Sequence, residues 1–307
     1  MTNQKLLNRL MMLSGHRTRS VVNMTLSVRL SPFAMIILLC SPCLSAEPLF
    51  DVHLHYNEAH AARYDPQQVI QTLDRNDVAR AVVTSTPAHL ARRLYEMAPD
   101  RIVPLLGVYH DPEDKTRWVH DPSLPERIEL ELKSGVWRGI GELHLFADDR
   151  RSPVFRRLVE LAVRYELPLV LHADPAVIDA LYEIAPGHPL IWAHAGTYPY
   201  PDLIADYLRR YPALHIDVSM RDERIAANGE IQDDWYGLFV TYPDRVMTGV
   251  DTYSLSRWHE FDSAVERTRQ WLALLPEGVG SRLAYDNAAA FFNIRESENQ
   301  GRTRASH

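Results

Sequence analysis

From residue 48 onward, short apolar runs rich in β-branched residues alternate with amphipathic stretches, eight of each. The apolar runs predict strands over 49–55, 78–86, 101–109, 137–146, 168–174, 189–196, 214–220 and 245–253. Between them, "DPQQVIQTLDRND", "SPVFRRLVELAVRYE", "PAVIDALYEIAP", "YPDLIADYLRRYP" and "RWHEFDSAVERTRQWLALL" carry the helical period. Several open with Asp or Ser followed by Pro, which suits an N-cap and first turn. Strand and helix alternating at this length argue for parallel βα units, and eight units in one chain predict a single-domain α/β fold, the (β/α)8 TIM barrel. The stretch after the seventh strand, 221–244, is longer and more polar at its start, and is expected to cross the barrel mouth.

The first 46 residues break the pattern. They hold Lys5, Arg9, Arg17, Arg19 and Arg29, no acidic residue, and the apolar run "FAMIILLC" before "SPCLSA". That is the layout of a cleavable signal peptide, and the run is too short to span a bilayer. A complete leader already starts at Met24, so the true start is open between Met1 and Met24. The expected domains are a leader over 1–46, a barrel over 47–295 and a disordered tail over 296–307. An exported, periplasmic or secreted protein follows, without stable membrane association once the leader is cleaved.

Removal of the leader changes the charge. Of 33 basic residues 28 remain against 40 acidic ones, a formal net charge of 28 − 40 = −12. Nucleic acid is disfavoured as a partner, since phosphate binding relies on Lys and Arg. Both cysteines, Cys40 and Cys43, also leave, so the mature chain has no disulfide and no thiolate ligand. No glycine-rich phosphate fingerprint follows any strand.

The candidate chemistry lies at strand C-terminal ends. His53 and His55 end the first predicted strand, Glu142 and His144 the fourth, His172 the fifth, His194 the sixth and Asp251 the eighth. In a parallel barrel these ends share one face, where such folds carry their sites. His53 and His55, two apart on a strand, point the same way. Buried imidazoles and carboxylates need partners, and a divalent cation provides one. Nitrogen and oxygen donors without sulfur suit Zn²⁺ first, with Mn²⁺, Fe²⁺ or Ni²⁺ as alternatives, one or two per chain. Alone, each histidine reads as an ordinary core residue; five strand ends in one order do not.

In this order and spacing, "DVHLH", "GIGELH", "LVLHAD", "IWAHAG", "IDVSM", "TGVDTY" and "YDNAAAFF" resemble the amidohydrolase superfamily of metal-dependent hydrolases, particularly its amidohydrolase-2 branch. The resemblance implies that His53, His55, His172 and Asp251 are metal ligands. It implies that Asp251 also moves protons, and that His194 either ligates a second metal or polarises the substrate. Glu142 is ambiguous: it matches the strand-four ligand of binuclear members and of TatD-type nucleases, a position without a ligand in many mononuclear ones. The implied activity is hydrolysis of an amide, lactone or ester of a small-molecule carbonyl substrate. A non-oxidative decarboxylase is the alternative, and a TatD-like nuclease or a non-catalytic metal or solute binder comes after it.

Further residues at the mouth are candidate substrate contacts: His144, Tyr198, Arg221 and Tyr253. Arg221 is the residue that a decarboxylase would need for the substrate carboxylate. Asp217 is expected to orient a neighbour by hydrogen bonding, and Asn287 to be structural. Aromatic residues near Trp235, Tyr236 and Trp258 suggest a lid or a subunit contact, leaving a homo-oligomer open.

Overall fold

In the computed structural model, which describes residues 47–294, the chain builds an α/β fold around parallel strands. The strands are β1 (Leu49–His55), β2 (Val78–Thr84), β3 (Ile102–Pro104), β4 (Ile140–Leu145), β5 (Leu169–Ala173), β6 (Leu190–Trp192), β7 (Leu214–Asp217) and β8 (Val246–Met247). A longer helix follows each: α1 (Pro66–Arg75), α2 (His89–Met97), α3 (Leu124–Leu132), α4 (Pro153–Arg164), α5 (Pro175–Ile184), α6 (Pro201–Arg210), α7 (Asp233–Thr241) and α8 (Phe261–Leu272). The expected leader (1–46) and tail (296–307) lie outside the described residues. No described helix is long and apolar enough to cross a membrane.

Every strand pairs with its sequence neighbour in two sheets, β1-β2-β3 and β4-β5-β6-β7-β8. Backbone hydrogen bonds join the sheets at both seams. Leu106 donates to Gly139 O at 2.9 Å and accepts from Gly141 N at 3.1 Å; on the other side Val52 donates to Thr248 O at 3.0 Å and Asp251 to His53 O at 2.7 Å. The ring therefore closes through these bonds.

The helix starts follow from local chemistry. Asp65 caps α1 reciprocally, accepting from Gln68 N at 2.9 Å while its own N–H donates to Gln68 Oε1 at 2.9 Å, and Pro66 occupies the first turn. Ser152 caps α4 through Val154 N and Phe155 N.

Two apolar layers result. The larger packs helices against the outside of the strands; the smaller holds Phe50, Val52, Val82, Val103, Leu105, Val170, Ile191 and Met247 inside the ring, closed by Ala288 and Phe292 from the C-terminal helix. Asn287 is buried and donates to Pro243 O at 2.8 Å and Val246 O at 2.7 Å, tying that helix to β8.

Several expectations need correction. The strands predicted over 189–196 and 245–253 stop at Trp192 and Met247, and beyond those ends His194, Ala195 and Asp251 have φ of 56°, 54° and 58°. That left-handed backbone cannot continue a ladder. The segment 221–244 is largely helical rather than a loop. Its first part is held to α8, with Asp222 Oδ1 accepting from Trp271 Nε1 at 2.8 Å and Thr268 Oγ1 at 3.1 Å, and its second part is α7, which buries Trp235, Leu238 and Phe239. Trp235 and Trp258 are core residues, whereas Tyr236 is exposed.

Candidate metal centre

Simple strand alternation does not explain how β1 lines the ring with both Phe50 and His53. A register slip does. Asp51 lies opposite Ala81 and Leu54 opposite Val83, so β1 takes one residue more than β2 over this span. Below the slip, Phe50 and Val52 face the interior; above it, His53 and His55 do. The same slip occurs in β4, where Ile140 lies opposite Leu169 and Leu143 opposite Leu171, and it turns Glu142 inward. Bulges of this kind re-aim side chains at functional sites. Gly141 makes room for the second: with φ of 144°, a Cβ there would stand 2.5 Å from Val170 O.

The inward groups converge. Glu142 lies at the centre, with Oε2 3.5 Å from His53 Nε2, 3.4 Å from His55 Nε2 and 3.7 Å from His144 Nε2. Its other oxygen, Oε1, is 3.1 Å from His172 Nδ1 and 3.3 Å from His194 Nε2. Asp251 Oδ1 lies 3.3 Å from His55 Nε2, and Oδ2 lies 3.8 Å from His194 Nε2. His172, His144 and Glu142 form one group of donor atoms within 4.8 Å of one another, His53, His55 and Asp251 a second, and His53, Glu142 and His194 a third.

Buried charge governs the ionisation here. Burial opposes a charge on His53, yet the carboxylates of Asp217, Glu142 and Asp251 outweigh it and hold the imidazole well above its usual pKa. His55 is raised in the same way, against burial, by Asp251 and Glu142. Burial pushes Glu142 toward the neutral acid, but His53, His144, His172 and His194 together keep it well below the usual carboxylate range. Asp251 is likewise lowered, its burial outweighed by His53, His55 and His194. Burial leads at His144 and brings it down to about 3.

The set fits a divalent cation. His53 Nδ1 donates to Asp217 Oδ2 at 3.0 Å, which in the neutral ring leaves a lone pair on Nε2, only 3.2 Å from His55 Nε2. Asp251 Oδ1 is buried and makes no hydrogen bond, His55 Nε2 lying outside bonding geometry. An orphaned carboxylate oxygen among facing imidazole nitrogens is the arrangement that a cation satisfies.

A hydrogen-bonded layer behind the cluster holds it in place. Asp217 is fully buried and accepts from His53 Nδ1, Ser219 N and Ser219 Oγ, while Ser219 Oγ lies 2.8 Å from His194 Nδ1. Since Ser219 gives its hydroxyl hydrogen to Asp217, it accepts from His194 Nδ1–H, and His194 Nε2 keeps its lone pair toward the site. Thr252 Oγ1 accepts from His55 N at 2.8 Å and donates to His55 O at 2.9 Å, locking the chain beyond β8 onto the end of β1. Sequence reading missed Ser219, Thr252 and Tyr109, whose hydroxyl contacts His144. Small polar residues near strand ends carry no pattern of their own.

The remaining candidates divide. His144 faces Glu142. Tyr198 and Tyr253 are 54% and 52% exposed on the loops after β6 and β8, with no side-chain hydrogen bond among the described residues. Arg221 is partly engaged: Nε donates to His194 O at 2.8 Å and Nη2 to Gly196 O at 3.1 Å, which fixes the loop carrying His194.

Comparison with known proteins agrees with this architecture. The TatD related DNase family model matches residues 50–200, somewhat under half of the chain. A TatD homolog from Escherichia coli K12 superposes with a TM-score of 0.61 at 15% identity, covering 82% of this chain and 100% of its own. A putative 2-pyrone-4,6-dicarboxylic acid hydrolase from Pseudomonas putida gives 0.58 at 17% identity, covering 80% and 98%. An amidohydrolase from Burkholderia multivorans with bound zinc gives 0.54 at 16%, covering 81% and 100%. No curated protein sequence matches the chain. The ordered motifs, the family match over 50–200 and the shared barrel are together consistent with a chain of the amidohydrolase-related superfamily.

Proposed function

We propose that the protein is a metal-dependent hydrolase whose centre would take two divalent cations that share Glu142 as a ligand. The observation that carries this reading is the division of the Glu142 carboxylate, with one oxygen facing His53 and His55 and the other facing His172 and His194. His53, His55 and Asp251 would hold the first cation, His172 and His194 the second, and Glu142 would bridge them. The donor chemistry favours Zn²⁺, with Mn²⁺ next. Such cations, when bound, supply Lewis acidity that activates water and polarises the oxygen of a scissile group.

The chain's own residues do the rest. Asp251, kept ionised by the surrounding histidines, would accept the proton of the attacking water at Oδ2, the oxygen not given to a cation, and return it to the leaving group. Asp217 and Ser219 keep His53 and His194 turned toward the site. The proposed substrate is a small molecule with an amide, lactone or ester carbonyl. A phosphodiester is the second reading, favoured by the TatD match and by the central place of Glu142. It is opposed by the formal charge of −12 after leader removal. The decarboxylase alternative would take Arg221 as its contact to the substrate carboxylate, with Nε and one Nη2 hydrogen of that side chain already donated to backbone carbonyls. The basic leader is the ground for proposing export.

The test is elemental analysis together with turnover of p-nitrophenyl acetate, a lactone panel, bis(p-nitrophenyl) phosphate and a single-stranded oligonucleotide by the zinc and manganese forms. Two metals per chain and hydrolysis of the carbonyl probes are expected. Cleavage confined to the phosphodiesters selects the second reading, and a single metal removes the bridging role of Glu142.

A further inference from the structure

Tyr109, buried beyond the end of β3, touches His144 twice. The backbone N–H of His144 donates to the phenol oxygen at 2.8 Å, and the same oxygen lies 3.2 Å from His144 Nδ1. The phenol has one hydrogen to place, and no other partner of the hydroxyl occurs among the described residues. A buried O–H without an acceptor is strongly disfavoured. Tyr109 therefore donates to Nδ1, and the neutral ring carries its hydrogen on Nε2.

This is the reverse of the two imidazoles whose partners are equally well defined. In their neutral rings, His53 and His194 each spend the Nδ1 hydrogen on the layer behind them, at Asp217 and Ser219, and present a bare Nε2. His144 presents Nε2–H. Its ring is held by stacking on His172, with centroids 4.6 Å apart and an interplanar angle of 18°, and its carbonyl accepts from Trp118 Nε1 at 2.9 Å. Nε2 is 3.7 Å from Glu142 Oε2, too far for a hydrogen bond, so its hydrogen is left for a group entering the site.

We propose that Tyr109 sets His144 as the donor histidine of the cluster, a residue that does not ligate metal but holds an oxygen of the substrate's scissile carbonyl or phosphoryl group through Nε2–H. The role toward substrate rests on the hydrolase reading; the tautomer rests on the hydrogen bonds alone. Tyr109 is then a positioning residue. The competing arrangement, His144 completing a cation site with Glu142 and His172, requires the hydrogen on Nδ1.

The experiment uses the zinc-loaded full chain with ¹⁵N-labelled histidine. Long-range ¹H–¹⁵N spectra, with the His144 signals identified by their loss in His144→Gln, are expected to show a protonated Nε2 and a bare Nδ1. Tyr109→Phe should populate the other tautomer, and both variants should keep the wild-type zinc content. On whichever chromogenic probe is hydrolysed, His144→Leu should lower kcat about 100-fold with a smaller change in KM. His144→Gln, whose amide keeps a donor, should lose less. A hydrogen on Nδ1 in the wild type, or zinc lost from His144→Gln, overturns the proposal. The expected tautomer without turnover of any probe overturns the hydrolase reading and leaves the donor assignment standing.

Discussion

Asp217 Oδ2 accepts a hydrogen bond from His53 Nδ1 at 3.0 Å, with both side chains buried. In the proposed metal centre this contact would orient the imidazole with its Nε2 lone pair toward the ring centre. In Asp217→Asn the amide can donate to Nδ1 instead, which places the ring hydrogen on Nε2. Metal affinity is expected to fall about 10–100-fold with the fold retained. Competition against a chelator measures it, and wild-type affinity would show that His53 needs no such partner.

Asp251 is expected to matter more for turnover than for metal retention. Asp251→Asn preserves shape and leaves His53, His55 and Glu142 in place, but the amide cannot take a proton. The kcat should drop by about 10²–10⁴-fold while most of the metal stays bound. Unchanged turnover removes Asp251 from proton transfer.

Gly249 lies where the chain beyond β8 passes β1. A Cβ there would stand 2.8 Å from His53 Cβ and 3.1 Å from His53 N. Gly249→Ala must push the two segments apart, costing about 1–3 kcal/mol and displacing His53. The urea midpoint and the metal content should therefore fall together. A lower midpoint with unaltered metal content would mean that His53 does not move.

His215, at the opposite end of the ring, gives a pH dependence. Burial, then the charge of Arg245, brings it from 6.5 down to about 4 in the folded chain. Between these values the unfolded chain binds a proton that the folded chain does not. This contribution to stability is complete above about pH 6.5 and diminishes as the pH falls toward 4. In the presence of chelator, the urea midpoint of the wild type should drop from pH 7.5 to pH 4.5 by more than that of His215→Gln. Equal drops would exclude His215 as the source.

Much of the fold was legible because periodicity is a local property. The apolar runs located all eight strands, and Asp65 and Ser152 marked helix starts through chemistry confined to a few residues. The ends of β6 and β8 were not legible. His194 and Asp251 sit in "IWAHAG" and "TGVDTY", which read as strand, while the ring demands a left-handed turn at each. Arg221 could be placed near the mouth, but nothing in the sequence distinguished a free guanidinium from one bound to the carbonyls of His194 and Gly196.

The sequence by itself determined which donor types exist and that they stand at strand ends, since both depend on residue identity and local period. Only the tertiary structure decided where each one points. The slips in β1 and β4, the pairing of Asp217 with His53, and the grip of Tyr109 on His144 each join residues distant in the chain. A register or a tautomer is set by the partner across the gap, and that partner is defined only once the ring has closed.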